Sequence, residues 1–85
     1  MENKKKILIT GSSTGIGRAC ALAFAGPGWH VFINCRESLE KLREVEHEIL
    51  ASGGKCTPVP GDVSDPDEVR RIFEIIENTC GGLDV

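Results

Sequence analysis

No tyrosine occurs among the 85 residues, so the chain has no phenol that could donate or accept a proton. It also lacks any apolar run approaching the ~20 residues of a membrane helix. The opening MENKKKILIT shows no secretory apolar core followed by a small-residue cleavage site. A soluble, cytoplasmic protein is expected. Positive charge is scarce: ten Lys and Arg against thirteen Asp and Glu give a net charge of −3 and a pI near 5.3. That balance offers no general attraction to nucleic acid or to an anionic membrane, and neither is expected as a partner. The one basic run, Lys4-Lys5-Lys6, reads as a solvated lead-in to a strand. Cys20, Cys35, Cys56 and Cys80 form no CxxC pair, which argues against a zinc knuckle or a redox dithiol and leaves reduced thiols filling small apolar sites.

What is present alternates. KKILIT, Lys5 to Thr10, is a short β-branched run, and the glycine-rich turn after it leads into a helical stretch over Ile16 to Ala25. Gly26-Pro27-Gly28 ends that helix, and HVFINC, His30 to Cys35, supplies a second strand. Ser38 is placed to cap a second helix, with Leu39, Leu42, Val45, Ile49 and Leu50 as its buried stripe and Gly53-Gly54 as its stop. A third helix is expected from Pro66, capped by Asp65, with Asp67 and Glu68 favouring its positive end. Its apolar face is Val69, Ile72, Phe73 and Ile76, and Gly81-Gly82 closes it.

Between the second and third helices, KCTPVPGDV carries Pro58 and Pro60 where the rhythm calls for a strand. N–H groups alternate sides along a strand, so both prolines lack a donor on the same side. The segment is therefore expected as an edge strand paired through its other side. The order β-α-β-α-β-α, with Leu83-Asp84-Val85 starting a fourth strand, implies a parallel sheet with right-handed crossovers and helices for both faces.

The stretch ITGSSTGIGRA places three glycines and a set of hydroxyls between the first strand and the first helix. Unpaired N–H groups and the positive dipole end at a helix start make an anion site, and glycine removes the Cβ that would hold a phosphate away. Gly11 permits the tight turn, Gly15 permits close approach to a pyrophosphate, and Gly17 lets the helix lie against its neighbour. Ser12, Ser13 and Thr14 can add hydroxyl donors. No Lys-Ser or Lys-Thr follows, so a P-loop is disfavoured. A glycine turn that merely joins strand to helix remains an alternative for the motif taken alone.

With these motifs the chain resembles the short-chain dehydrogenase/reductase family, NAD(P)-dependent oxidoreductases on a Rossmann fold. TGSSTGIG, Thr10 to Gly17, matches the family's TGxxxGIG; GDVSD, Gly61 to Asp65, matches its loop after the third strand; and GGLDV leads into the fourth. The resemblance implies a Rossmann-like three-layer α/β fold in which residues 1–85 form the N-terminal part of one NAD(P)-binding domain, truncated at the start of the fourth strand. It implies that Gly11, Ser12, Ser13, Thr14, Gly15, Ile16 and Gly17 wrap the pyrophosphate and adenosine ribose. It also implies that Asp62 and Val63 border the adenine, with the Asp62 carboxylate accepting from its exocyclic amine.

By the family pattern Cys35 stands where NAD-binding relatives carry an acid, and Arg36 follows it. That arrangement resembles one that accepts the 2′-phosphate of NADP, because a guanidinium offers charge-assisted donors to a phosphate. NADP is expected over NAD, with Glu37 as a competitor for Arg36. Arg18 reads as a surface helix residue or a secondary phosphate contact, and His30 and His47 as surface residues.

Family catalysis rests on a Ser, a YxxxK pair and usually an Asn from the second half of the fold, so no catalytic residue is assigned to this chain. A second reading is a non-catalytic nucleotide-binding or interaction module that self-associates, or pairs with a missing C-terminal part, through the open edge of the first strand. A third is an α/β fragment that binds no nucleotide.

Overall fold

The computed structural model describes residues 5–11, 15–26, 28–37 and 39–80. Ser12, Ser13, Thr14, Pro27, Ser38 and Gly81 to Val85 lie outside the described residues, and with them the expected cap of the second helix and the start of the fourth strand. The elements run β1 (Lys5–Ile9), α1 (Gly15–Ala23), β2 (Trp29–Ile33), α2 (Leu39–Ala51), β3 (Lys55–Pro58) and α3 (Pro66–Cys80).

The described strands form a parallel sheet in the order β1-β2-β3. Ile7 sits opposite Val31, and Val31 opposite Cys56. Beyond the strands the pairing continues: Val59 N–H donates to Ile33 O at 2.8 Å, Gly61 N–H to Cys35 O at 2.9 Å, and Asn34 N–H to Ile9 O at 3.1 Å. Because Val59 and Gly61 point their N–H groups at β2, the nitrogens of Pro58 and Pro60, which carry no hydrogen, face away from it. The expected edge strand is present, with both prolines on its outer side.

Alternation along the strands divides the core into two layers. Ile7, Val31 and Ile33 face α1 and α2, where they pack with Ala21, Cys35, Leu42, Val45 and Ile49. Phe32, with partly buried Leu8, faces the other way and packs with Val59, Ile72 and Ile76. Helices cover both faces, as a three-layer α/β fold requires. Truncating one of these buried side chains, such as Ile72→Ala, costs about 2–5 kcal/mol.

Leu39, Leu50 and Phe73 are corrections to the expected stripes, being 43%, 49% and 46% exposed. Leu50 and Phe73 each follow a buried isoleucine by one residue, a turn of about 100° that carries the side chain off the packed face. Leu39 sits in the first turn of α2, where it lines a cleft of about 310 Å³ with Leu42, Arg43, Glu46, Pro58 and Pro60.

The turns obey specific chemistry. Gly54 N–H reaches Ile49 O and Gly53 N–H reaches Leu50 O, with Gly53 at φ +89°, which is a Schellman close to α2. A Cβ on Gly54 would lie 2.8 Å from Gly26 N and 2.9 Å from Gly26 O, so the α2–β3 and α1–β2 turns touch backbone to backbone. At the head of α3, Asp65 Oδ1 accepts from Asp67 N–H at 2.9 Å, the cap the sequence leads one to expect.

Candidate functional site

The parallel strands all end at one edge of the sheet, and the residues that follow them converge there: Gly11 after β1, Arg36 after β2 and Asp62 after β3. Such an edge is where α/β folds bind ligands. Gly11 and Gly15 adopt φ of +61° and +60°, the left-handed region that favours glycine. A Cβ built on either would meet nothing within 4 Å among the described residues. Among the described residues, nothing lies over these two backbone positions at the head of α1. The first turn of α1 carries no acidic residue, so its positive dipole end is not offset from within. Ile16 is 84% exposed beside it, and Gly17 lies within the helix without a left-handed φ. Ser12, Ser13 and Thr14 lie outside the described residues.

Across the edge, Arg36 Nε stands 3.6 Å from Asp62 Oδ2, with the Arg36 side chain 72% exposed. Its guanidinium is held on one side by a carboxylate and open on the other. The other Asp62 oxygen, Oδ1, accepts from Ser64 N–H at 2.9 Å and from Ser64 Oγ at 2.6 Å. These hydrogen bonds hold the Asp62 carboxyl below its ordinary pKa; desolvation opposes them, and the charge of Arg36 adds a smaller lowering effect. Val63 is half exposed next to it.

Cys35 is buried and packs among the apolar side chains between the sheet and α2, so a thiol fills core space at the position where the resemblance puts an acid. Glu37 is exposed. Arg18 is engaged elsewhere: its Nη2 pairs with Glu48 Oε2 at 2.5 Å and ties α1 to α2, matching the surface reading of that residue. Cys56, on β3, is partly buried against the apolar cluster under α2. Burial first, then the charge of Glu46, pushes its thiol up to about 12. His30 is half-buried rather than a free surface group, bonded through Nε2 to Thr57 Oγ1 at 2.8 Å and stacked on Phe32 at 4.5 Å.

The loop from Pro60 to Ser64 is pinned from two sides. From α3, Arg71 donates to Pro60 O at 2.8 Å and Glu68 Oε1 accepts from Asp62 N–H at 3.2 Å. From β2, the Asn34 carboxamide donates to Val59 O at 2.9 Å and to Gly61 O at 3.1 Å. Asn34, Ser64, Glu68 and Arg71 are absent from the expected site. One signal could have found Asn34: it is the polar residue of the apolar run HVFINC, and a polar group buried in such a run needs partners.

Residues 5–85 match the family model described as short chain dehydrogenase. The chain belongs to that family. Among curated relatives, the short chain dehydrogenase segment is 39% identical over all 85 of its residues to the 3-oxoacyl-(acyl-carrier-protein) reductase FabG of Staphylococcus aureus, of which it covers 35%. It is 43% identical over 82 residues to a glucose 1-dehydrogenase of Gluconobacter oxydans, covering 95% of this chain and 30% of that protein. The chain therefore spans about a third of the length of these relatives. Among solved structures, the L-sorbose reductase of Gluconobacter frateurii, complexed with NADPH and L-sorbose, superposes with a TM-score of 0.87 at 34% identity, over 95% of this chain and 31% of that one. The short chain dehydrogenase fold, a Rossmann-like α/β sheet, is thereby established for this segment.

Proposed function

We propose that this chain binds a dinucleotide, NADP in preference to NAD, at the strand-end edge carrying Gly11, Gly15, Arg36 and Asp62, as the cofactor-binding segment of an oxidoreductase. The observation that carries the reading is the pair of left-handed glycines at the head of α1 with space above them, open among the described residues. Side chains on these glycines would occupy that space, and the helix head suits an anion such as a pyrophosphate, which supports the reading. Arg36 supplies donors suited to a 2′-phosphate, and Asp62 supplies an acceptor suited to an adenine amine, with Val63 as an apolar neighbour. The preference for NADP is also supported by a family relative solved with NADPH.

When bound, the nicotinamide cofactor supplies hydride chemistry, which in the complete enzyme would interconvert an alcohol and a ketone. The residues of this chain bind and orient its adenosine and pyrophosphate end. With no tyrosine in the sequence, the chain alone should not catalyse that interconversion. Calorimetric titration with NADP and NAD at low and moderate salt tests the proposal. Saturable binding that favours NADP, weakens with salt and loses its preference in Arg36→Asp is the expected outcome. A folded chain that binds neither cofactor would overturn it.

A second reading, an interaction module, draws on one observation: β1 has a neighbouring strand on one side alone among the described residues.

A further inference from the structure

Asn34 is 2% exposed and is the one buried polar side chain among the described residues. It sits just past the end of β2, where backbone pairing to the segment after β3 continues through Val59 N–H to Ile33 O and Gly61 N–H to Cys35 O. Its peptide N–H reaches back to Ile9 O at 3.1 Å, and its carboxamide reaches forward to Val59 O at 2.9 Å and Gly61 O at 3.1 Å. Both forward acceptors are carbonyl oxygens, so the amide nitrogen must be the atom that faces them, since an oxygen there would repel both. One side chain therefore touches the chain two residues before Arg36 and the residue immediately before Asp62. Gly61 on that loop is itself tightly confined. A Cβ there would lie 3.0 Å from Arg71 Nη2, 3.1 Å from Glu68 Oε1 and 3.2 Å from Ile72 Cδ1.

We propose that Asn34 is a positioning residue for cofactor discrimination, setting the spacing between Arg36 on the β2 wall and Asp62 on the β3 wall of the adenosine subsite. The inference rests on the cofactor reading above. The 2′-phosphate and the adenine are carried by one ribose, which limits their separation, so they engage Arg36 and Asp62 together only over a narrow range of distances between the two walls. The glutamate and arginine of α3 hold the loop from outside, and both are partly solvated, Arg71 at 51% and Glu68 at 37% side-chain exposure. Beside the backbone bond from Gly61 N–H to Cys35 O at 2.9 Å, Asn34 is the buried side-chain tie between the two walls, and its hydrogen bonds are shielded from competing water.

The test compares NADP and NAD affinities by calorimetry for the wild-type chain, Asn34→Ala, Arg36→Ala and the double variant, with Ile49→Val as a core control. Asn34→Ala should lose roughly tenfold in NADP affinity and less in NAD affinity, as expected when a wall of the site shifts by a fraction of an ångström. Its discrimination ratio should fall toward that of Arg36→Ala, and the double variant should discriminate no worse than Arg36→Ala. Ile49→Val should lower stability and leave the ratio alone. An unchanged ratio in a folded Asn34→Ala chain, or additive losses in the double variant, would overturn the proposal and leave Asn34 a structural residue. If Asn34→Ala does not fold, the wild-type chain decides by ¹⁵N-resolved NMR. The Asn34 carboxamide signals should move with those of Gly61 and Asp62 as NADP is added, and fixed carboxamide signals beside shifting neighbours would overturn the proposal. A wild-type chain that binds neither dinucleotide removes the cofactor reading, and this one with it.

Discussion

Gly15 adopts φ +60° at the start of α1, where a branched side chain would be strained and would project into the space above the turn. Gly15→Val should abolish saturable NADP binding, while the strain lowers stability by roughly 1–2 kcal/mol; parallel calorimetry and thermal melts separate the two. Asp62 gives a second residue-scale prediction. Its folded pKa lies below the ordinary 3.8 because of Ser64 and then Arg36. The stabilisation is therefore present above about that pH and is lost as pH falls through the lower folded value. Asp62→Asn should be less stable than wild type at neutral pH, and the gap between their denaturation midpoints should close as the solution is made strongly acid. At this scale the sequence was readable where a residue's type states its task. Gly11, Arg36 and Asp62 follow the ends of the three strands and Gly15 opens α1, positions the spacing implies, while the tasks proposed for them await the titrations above. Cys35 was readable in position, but its burial depends on α2 packing over it. The roles of Asn34 and Glu68 depend on partners 25 to 27 and six residues away, which no local pattern specifies.

Among the elements, α3 has the clearest start, and its cap carries a measurable share of stability. Asp65→Ala removes the acceptor for Asp67 N–H and should cost about 1 kcal/mol by chemical denaturation. Gly54→Ala tests a different joint. Its methyl would press on the Gly26 backbone, which cannot swing aside as a side chain would. We expect a loss of roughly 1–3 kcal/mol, with the cofactor site at the far edge of the sheet keeping its affinity if the chain is folded. The element order, the parallel sheet and the proline-bearing edge strand followed from the spacing of apolar residues and from proline's missing donor. The exposure of Leu50 and Phe73 did not, since each adjoins a buried isoleucine, and which of two adjacent apolar residues faces the core is settled by the rotation of the packed helix. The contact of the Gly26 and Gly54 turns was likewise hidden, because it joins two glycines that are remote along the chain.

For the whole molecule, the sheet is asymmetric at its margins. The β3 margin turns the backbone nitrogens of Cys56, Pro58 and, just beyond the strand, Pro60 outward, and of these Cys56 alone has an N–H to offer a neighbour. β1 lies at the opposite margin, with β2 as its partner among the described residues. Light scattering over a concentration series should show no open-ended association through the β3 margin, and Lys55→Glu on β3 should leave the scattering unchanged. A ladder of higher species would refute this. In the language of polymer chemistry the proline-bearing margin is a chain stopper: the nitrogens of Pro58 and Pro60 carry no hydrogen, so a strand arriving there finds no donors at those two positions and growth of the sheet on that side has nothing to propagate it.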